Sequence, residues 1–144
     1  MERISFSENI EASAERVWKI LWEDGSYRDW TRVFREDSHA VSDWEEGSKI
    51  HFLDSKGSGM YSIIDRKIQD QFMSFKHIGE IKNGEEQPVD KNSTWSGGIE
   101  SYKLTETGGI TELLVETDVI EDFKDFMLEK FPLALARVKE LSEK

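Results

Sequence analysis

The sequence predicts an α+β domain in which one antiparallel sheet wraps around a long C-terminal α-helix, in the order β-α-α-β(6)-α, as a single domain over residues 1–144. Three observations predict it. Helical periodicity occurs near the N-terminus and again over the last segment. Between them the apolar period changes to two, over successive segments separated by short turn signals. Short turns between consecutive strands require antiparallel pairing, because parallel strands need long crossovers.

ERISFSENI, residues 2–10, alternates with Ile4, Phe6 and Ile10 near one face and predicts the first strand. Ser13 is placed to cap AERVWKILWE, with Glu15 in the first turn facing the positive end of the dipole. Ala14, Val17, Trp18, Leu21 and Trp22 form one apolar stripe on that helix. Asp24-Gly25 predicts its end, and SYRDW, residues 26–30, a short second helical turn.

HAVSD, SKIHFLD, GMYSIIDRKIQ, QFMSFKHIGEIK, TWSGGIESYKLTE and GITELLVETDV are the six strand candidates of the central region. Turn signals lie between them at Glu46-Gly47, Ser55 to Gly59, Asp70-Gln71, Asn83-Gly84 and Gly108-Gly109. The polar segment from Asn83 to Ser93, which contains Pro88, predicts a loop. From Glu121 the chain returns to helical spacing, with Phe123, Phe126, Met127, Phe131, Leu135, Val138 and Leu141 as the apolar face. Pro132 lies inside this helix and predicts a kink that holds it off the sheet and leaves a cavity.

Composition narrows the function. At this length about 70% of the unfolded surface can be buried, enough for a full core without staples. There is no cysteine, which excludes disulfides, thiolate metal sites and cysteine nucleophiles together. The N-terminal stretch has no signal-peptide apolar run, and no segment approaches the ~20 apolar residues of a membrane span. A cytoplasmic location is expected. With 19 Lys and Arg against 30 Asp and Glu, the net charge is -11. No basic run is present to neutralise phosphates, so nucleic acid is not expected as a partner.

The order of elements resembles that of the START and birch-pollen-allergen superfamily (SRPBCC), with its helix-grip fold. SAERVWKIL with YRDW, FKHIGEIKNGEE, WSGGIESYKLTETGGITELLVETD and FPLALARVKEL resemble the branch of homologues of the activator of the ninety-kilodalton heat-shock protein ATPase. These segments span nearly the whole chain. The superfamily resemblance implies binding of lipids, hormones, polyketides or proteins on one scaffold. The branch implies a chaperone or other protein as a partner.

No motif for a metal, nucleotide or nucleophile stands out. His39, His51 and His77 fall on three strand candidates without HxH or HExxH spacing, so no metal is expected. Neither GxSxG nor SxxK occurs, and no GxxxxGK or GxGxxG precedes a helix, so no cofactor is expected. Aromatic residues are the richer signal, with five Trp, eight Phe and three Tyr. Core packing accounts for most of them. As a set they also suit an apolar cavity on the order of a few hundred cubic ångströms. Trp30, Phe52, Met60, Phe75, His77, Trp95, Glu100, Tyr102, Phe126, Met127 and Phe131 are the candidate lining residues.

WSGGIESYKL, residues 95–104, poses the sharpest question about that lining. A regular strand puts Glu100 and Tyr102 on one face with Leu104, where a carboxylate is costly unless paired or protonated. A bulge at Gly97-Gly98 would change the face of the earlier residues and bring Trp95 inside beside Tyr102. The bulge also explains the two glycines and is the reading adopted, with Glu100 near the cavity wall. The leading expectation is a binding protein for a small apolar molecule, with Glu100, Tyr102 and His77 as orienting groups. A protein-interaction module resembling the chaperone activator is the alternative. A cyclase- or hydrolase-like enzyme using Glu100 or His77 for proton transfer is the third.

Overall fold

The computed structural model describes residues 1–144 and has the predicted α+β, helix-grip architecture. Strand β1 (Glu2–Ile10) leads to helices α1 (Ala14–Trp22) and α2 (Asp24–Trp30), followed by a 3-10 turn at Thr31–Val33. The remaining strands are β2 (His39–Val41), β3 (Lys49–Leu53), β4 (Gly59–Ile68), β5 (Phe72–Lys82), β6 (Glu85–Glu86), β7 (Ile99–Thr107) and β8 (Ile110–Val119). Helix α3 (Glu121–Ser142) ends the chain. The sheet is antiparallel throughout, in the order β1-β8-β7-β5-β4-β3-β2, with β6 paired to β5. No helix is long and apolar enough to cross a membrane.

Local chemistry sets the element ends. The Ser13 hydroxyl accepts from the Arg16 N–H at 3.1 Å, the expected N-cap. The first helix stops one residue earlier than expected, because Glu23 adopts an extended conformation (ψ 142°) and α2 begins at once. Asp24-Gly25 therefore opens the second helix and does not close the first. On α1, Val17, Trp18, Leu21 and Trp22 are buried. Each such side chain contributes roughly 1.5–3 kcal/mol of burial free energy.

Two expectations about the strands change. The segment read as a loop contains the two-residue strand β6, giving seven strands after the helices in place of six. Asn83 and Gly84 have φ of 52° and 82°, which closes a tight hairpin and pairs Lys82 with Glu85. Strand β7 begins at Ile99, so Trp95 to Gly98 form a turn instead of extending the strand.

Helix α3 runs through Pro132 without interruption. Its C-terminal half buries Phe131, Ala134, Leu135 and Val138, while Phe123 and Leu128 in the first half are exposed. Phe123 thus lies outside the packed face to which its spacing assigned it. The helix packs on β1, β8, α1, α2 and the 3-10 turn. Arg137 ties it to α2 by a bidentate pair with Asp29 at 2.7 and 2.9 Å. Between the first half of α3, α2 and the inner face of the central strands a gap remains, and the candidate site occupies it.

Candidate functional site

Strands β4, β5 and β7 bring four polar side chains into line on the inner face of the sheet. Ser62 of β4 is the direct cross-strand partner of His77 of β5, so their side chains share a face. Glu100 of β7 is opposite Phe75, which places it diagonally from His77. Tyr102 follows Glu100 by two residues and points the same way.

The resulting hydrogen bonds run in series. The Ser62 hydroxyl lies 2.7 Å from His77 Nδ1, and His77 Nε2 lies 3.1 Å from Glu100 Oε1. The Tyr102 hydroxyl donates a short hydrogen bond to Glu100 Oε2. Since a carboxylate only accepts, Nε2 carries a proton and Nδ1 is free to accept from Ser62 in the neutral ring.

Burial by itself would push the Glu100 carboxyl up. The His77 hydrogen bond and charge, together with the Tyr102 hydroxyl, outweigh burial and hold it below the usual carboxylate range. Glu100 is therefore an ionised group in an apolar setting. Burial raises the Tyr102 phenol well above its ordinary value, and the Glu100 charge adds to the shift. Tyr27 is raised by the same two causes, in the same order. Both phenols stay protonated.

The two glycines before β7 form a G1 bulge. Gly97 has φ of 88°, its N–H donates to the His77 carbonyl at 2.7 Å, and the Gly98 carbonyl accepts from the His77 N–H at 2.9 Å. Two residues thus face one, as expected, and the backbone of His77 is held on that side. Trp95 does not gain the inner position. The bulge follows directly on a turn closed by the Gly98 N–H and the Trp95 carbonyl at 3.1 Å. The indole lies half-buried in a separate groove lined largely by polar residues, with Ile78 and Pro88 also in its wall.

Glu100 opens into a cavity of about 170 Å³ between the sheet, α2 and α3. Its wall contains Trp30, Phe52, Met60, Phe75, Glu100, Tyr102, Phe126, Met127 and Phe131 from the candidate set. His77 is buried behind Glu100 and touches the cavity only through it. Trp22, Tyr27, Thr31, Phe34 and Ser38 complete the wall and were not singled out from the sequence. Trp22 and Tyr27 carried a signal, as aromatic residues at the α1–α2 junction. Phe34 and Ser38 lie in an irregular segment where no periodicity reports a facing.

The volume is smaller than the few hundred cubic ångströms expected, because Trp22, Trp30, Phe75 and Tyr102 pack edge-to-face across the space. It is close to that of a cavity of ~150 Å³ known to hold one benzene ring. The indole N–H of Trp22 is buried with no hydrogen-bond partner.

The Ser62, His77 and Glu100 line does not have the geometry of a hydrolytic triad. Its serine sits on Nδ1 and its carboxylate on Nε2, the reverse of serine hydrolases. Ser62 is also completely buried, out of reach of a substrate. No group of three His, Asp or Glu side chains converges as metal ligands would.

A scan against protein-family models matched none, and a sequence search against curated proteins matched none. Solved structures do match. The Aha1 dimer of Colwellia psychrerythraea aligns with a TM-score of 0.74 at 20% identity, covering 99% of this chain and 97% of that one. The AHSA1-like protein of Aeromonas hydrophila aligns at 0.68 and 18% identity, covering 99% and 92%. A Mesorhizobium loti protein aligns at 0.75 and 11% identity, covering 97% and 96%. The chain has the helix-grip fold and shares it with these three proteins over nearly its whole length.

Proposed function

We propose that the protein binds a small, largely apolar molecule with one polar end, in the cavity between the sheet and α3. One observation carries this reading. A carboxylate with a hydrogen bond on each oxygen opens into a largely aromatic pocket. A fold that needed only a core would fill that position with an apolar side chain, since an ionised group is costly to desolvate. Burial of the ligand's apolar body supplies the driving force, and Glu100 orients its polar end.

Benzyl alcohol matches the size of the cavity and carries one donor. Titrated into the protein, it is expected to shift the indole N–H signals of Trp22 and Trp30 saturably and to leave Trp95 in place. A spectrum in which no indole moves, or only that of Trp95, would contradict the reading.

A second reading has its own support. Phe123, Leu128 and Leu133 are exposed at 52%, 44% and 52% on α3. A protein-interaction role would use these exposed apolar side chains instead of the cavity. Under it, Leu128→Ser with Leu133→Ser abolishes partner capture and leaves the benzyl alcohol titration unchanged.

A further inference from the structure

The wall of the cavity is one-sided in charge. Glu100 is its sole carboxyl group, and no Lys, Arg or His side chain is among the lining residues. The remainder is aromatic or apolar, apart from Thr31 and Ser38. The nearest basic group, His77, is bonded to Oε1 and is not part of the lining. No cationic side chain therefore stands between Glu100 and a ligand in the cavity.

The hydroxyls do not change this balance. Tyr102 spends its proton on Glu100 and leaves only its oxygen lone pairs. Tyr27 shares the wall with the Ser38 hydroxyl. The polar corner therefore presents chiefly acceptors. The rings around it carry negative quadrupole faces that attract cations, most strongly where water is excluded. An anion placed here would meet a carboxylate with no cation beside it in the cavity. An alcohol would answer the hydrogen bond and leave the charge unanswered. An ammonium answers both. The net charge of -11 raises the local concentration of cations around the whole molecule.

We propose that the polar end of the ligand is a cation, and that the cavity selects a small organic ammonium whose charge rests between Glu100 and the surrounding rings. The proposal rests on the ligand-binding reading above and specifies its chemical class. The volume of about 170 Å³ restricts it to a single ring or a short branched chain on the ammonium.

The test uses three probes of one size: benzylamine as the cation, benzyl alcohol as the neutral donor and benzoate as the anion. Each is titrated into the wild-type protein at neutral pH and followed by the Trp22 and Trp30 indole signals. Benzylamine is expected to bind about tenfold or more tighter than benzyl alcohol, and benzoate not at all. In Glu100→Gln the preference for the amine should fall to about threefold or less. If that variant does not fold, the wild-type ranking still decides. Equal or tighter binding of benzyl alcohol overturns the cationic class and leaves the ligand-binding reading standing, as does tighter binding of benzoate. Silence from all three probes overturns both.

Discussion

His77 and Glu100 are joined Nε2 to Oε1 at 3.1 Å across two strands, although Phe75 and not His77 is the residue opposite Glu100. The diagonal contact lets one carboxylate collect donors from both of its neighbours, His77 on β5 and Tyr102 on its own strand. The site thereby holds an ionised group facing an apolar space. Removing any member of the line should be felt in stability as well as in binding.

Tyr102→Phe is the mildest such removal. It keeps the ring packed against Trp22 and Phe75 and deletes one donor to a charged group. A loss of about 1.5–3 kcal/mol is expected from urea unfolding. A neutral result would mean that the hydroxyl is satisfied equally well by solvent.

The pH dependence has a definite sign. The folded Glu100 carboxyl lies below its ordinary value, so it binds its proton less readily folded than unfolded. Its stabilisation is fully present above the unfolded value, about pH 4.3, and is lost as pH falls through the lower folded value. Asp29 and Asp118 are also lowered, by their hydrogen bonds to Arg137 and Arg3, so total stability falls with them. The difference between wild type and Glu100→Gln isolates the Glu100 share. That difference should be flat above about pH 5 and shrink below about pH 4. A difference that grows on acidification would reverse the assignment of Glu100 as ionised.

Two glycines should respond unequally to alanine. Gly97 has φ of 88° and open space where a Cβ would stand, so Gly97→Ala carries only the conformational cost, about 1–2 kcal/mol. At Gly59 a Cβ would collide with the Phe52 carbonyl of the paired strand. Gly59→Ala should be the more damaging and disrupt the β3–β4 hairpin. Thermal melts of the two variants decide it, and equal midpoints would contradict the account.

Pro132 lies mid-helix and cannot donate to the Leu128 carbonyl. Its ring is exposed, so nothing packed is lost on replacing it. Pro132→Ala should stabilise the protein by about 1–3 kcal/mol and draw Phe126 and Met127 closer to the sheet. Weaker binding of benzyl alcohol alongside a higher melting point would support both parts.

The fold was legible because local signals agreed with one another: the Ser13 cap, the α1 stripe, the change of period and the Asn83-Gly84 turn. The bulge at Gly97 was legible too, since two adjacent glycines in a strand pattern have few other uses. Trp95 was misplaced because the same glycines end the strand as well as bulge it, and an aromatic residue beyond that point is free of the alternation. Strand β6 was missed because Glu85 and Glu86 carry no apolar alternation and pair only through the hairpin. The bond between Ser62 and His77 could not be read at all. It depends on a pairing that shifts register between Tyr61 and Ser62, a tertiary fact with no local trace.

Native mass spectrometry of the protein isolated gently from its own cells shows whether the cavity holds a ligand. Met127→Trp, which fills the cavity from α3, is the control. The wild type should carry one small adduct of defined mass, lost on denaturation and missing from the variant. An adduct retained equally by Met127→Trp, or a bare mass from a protein that also ignores benzyl alcohol, would contradict it.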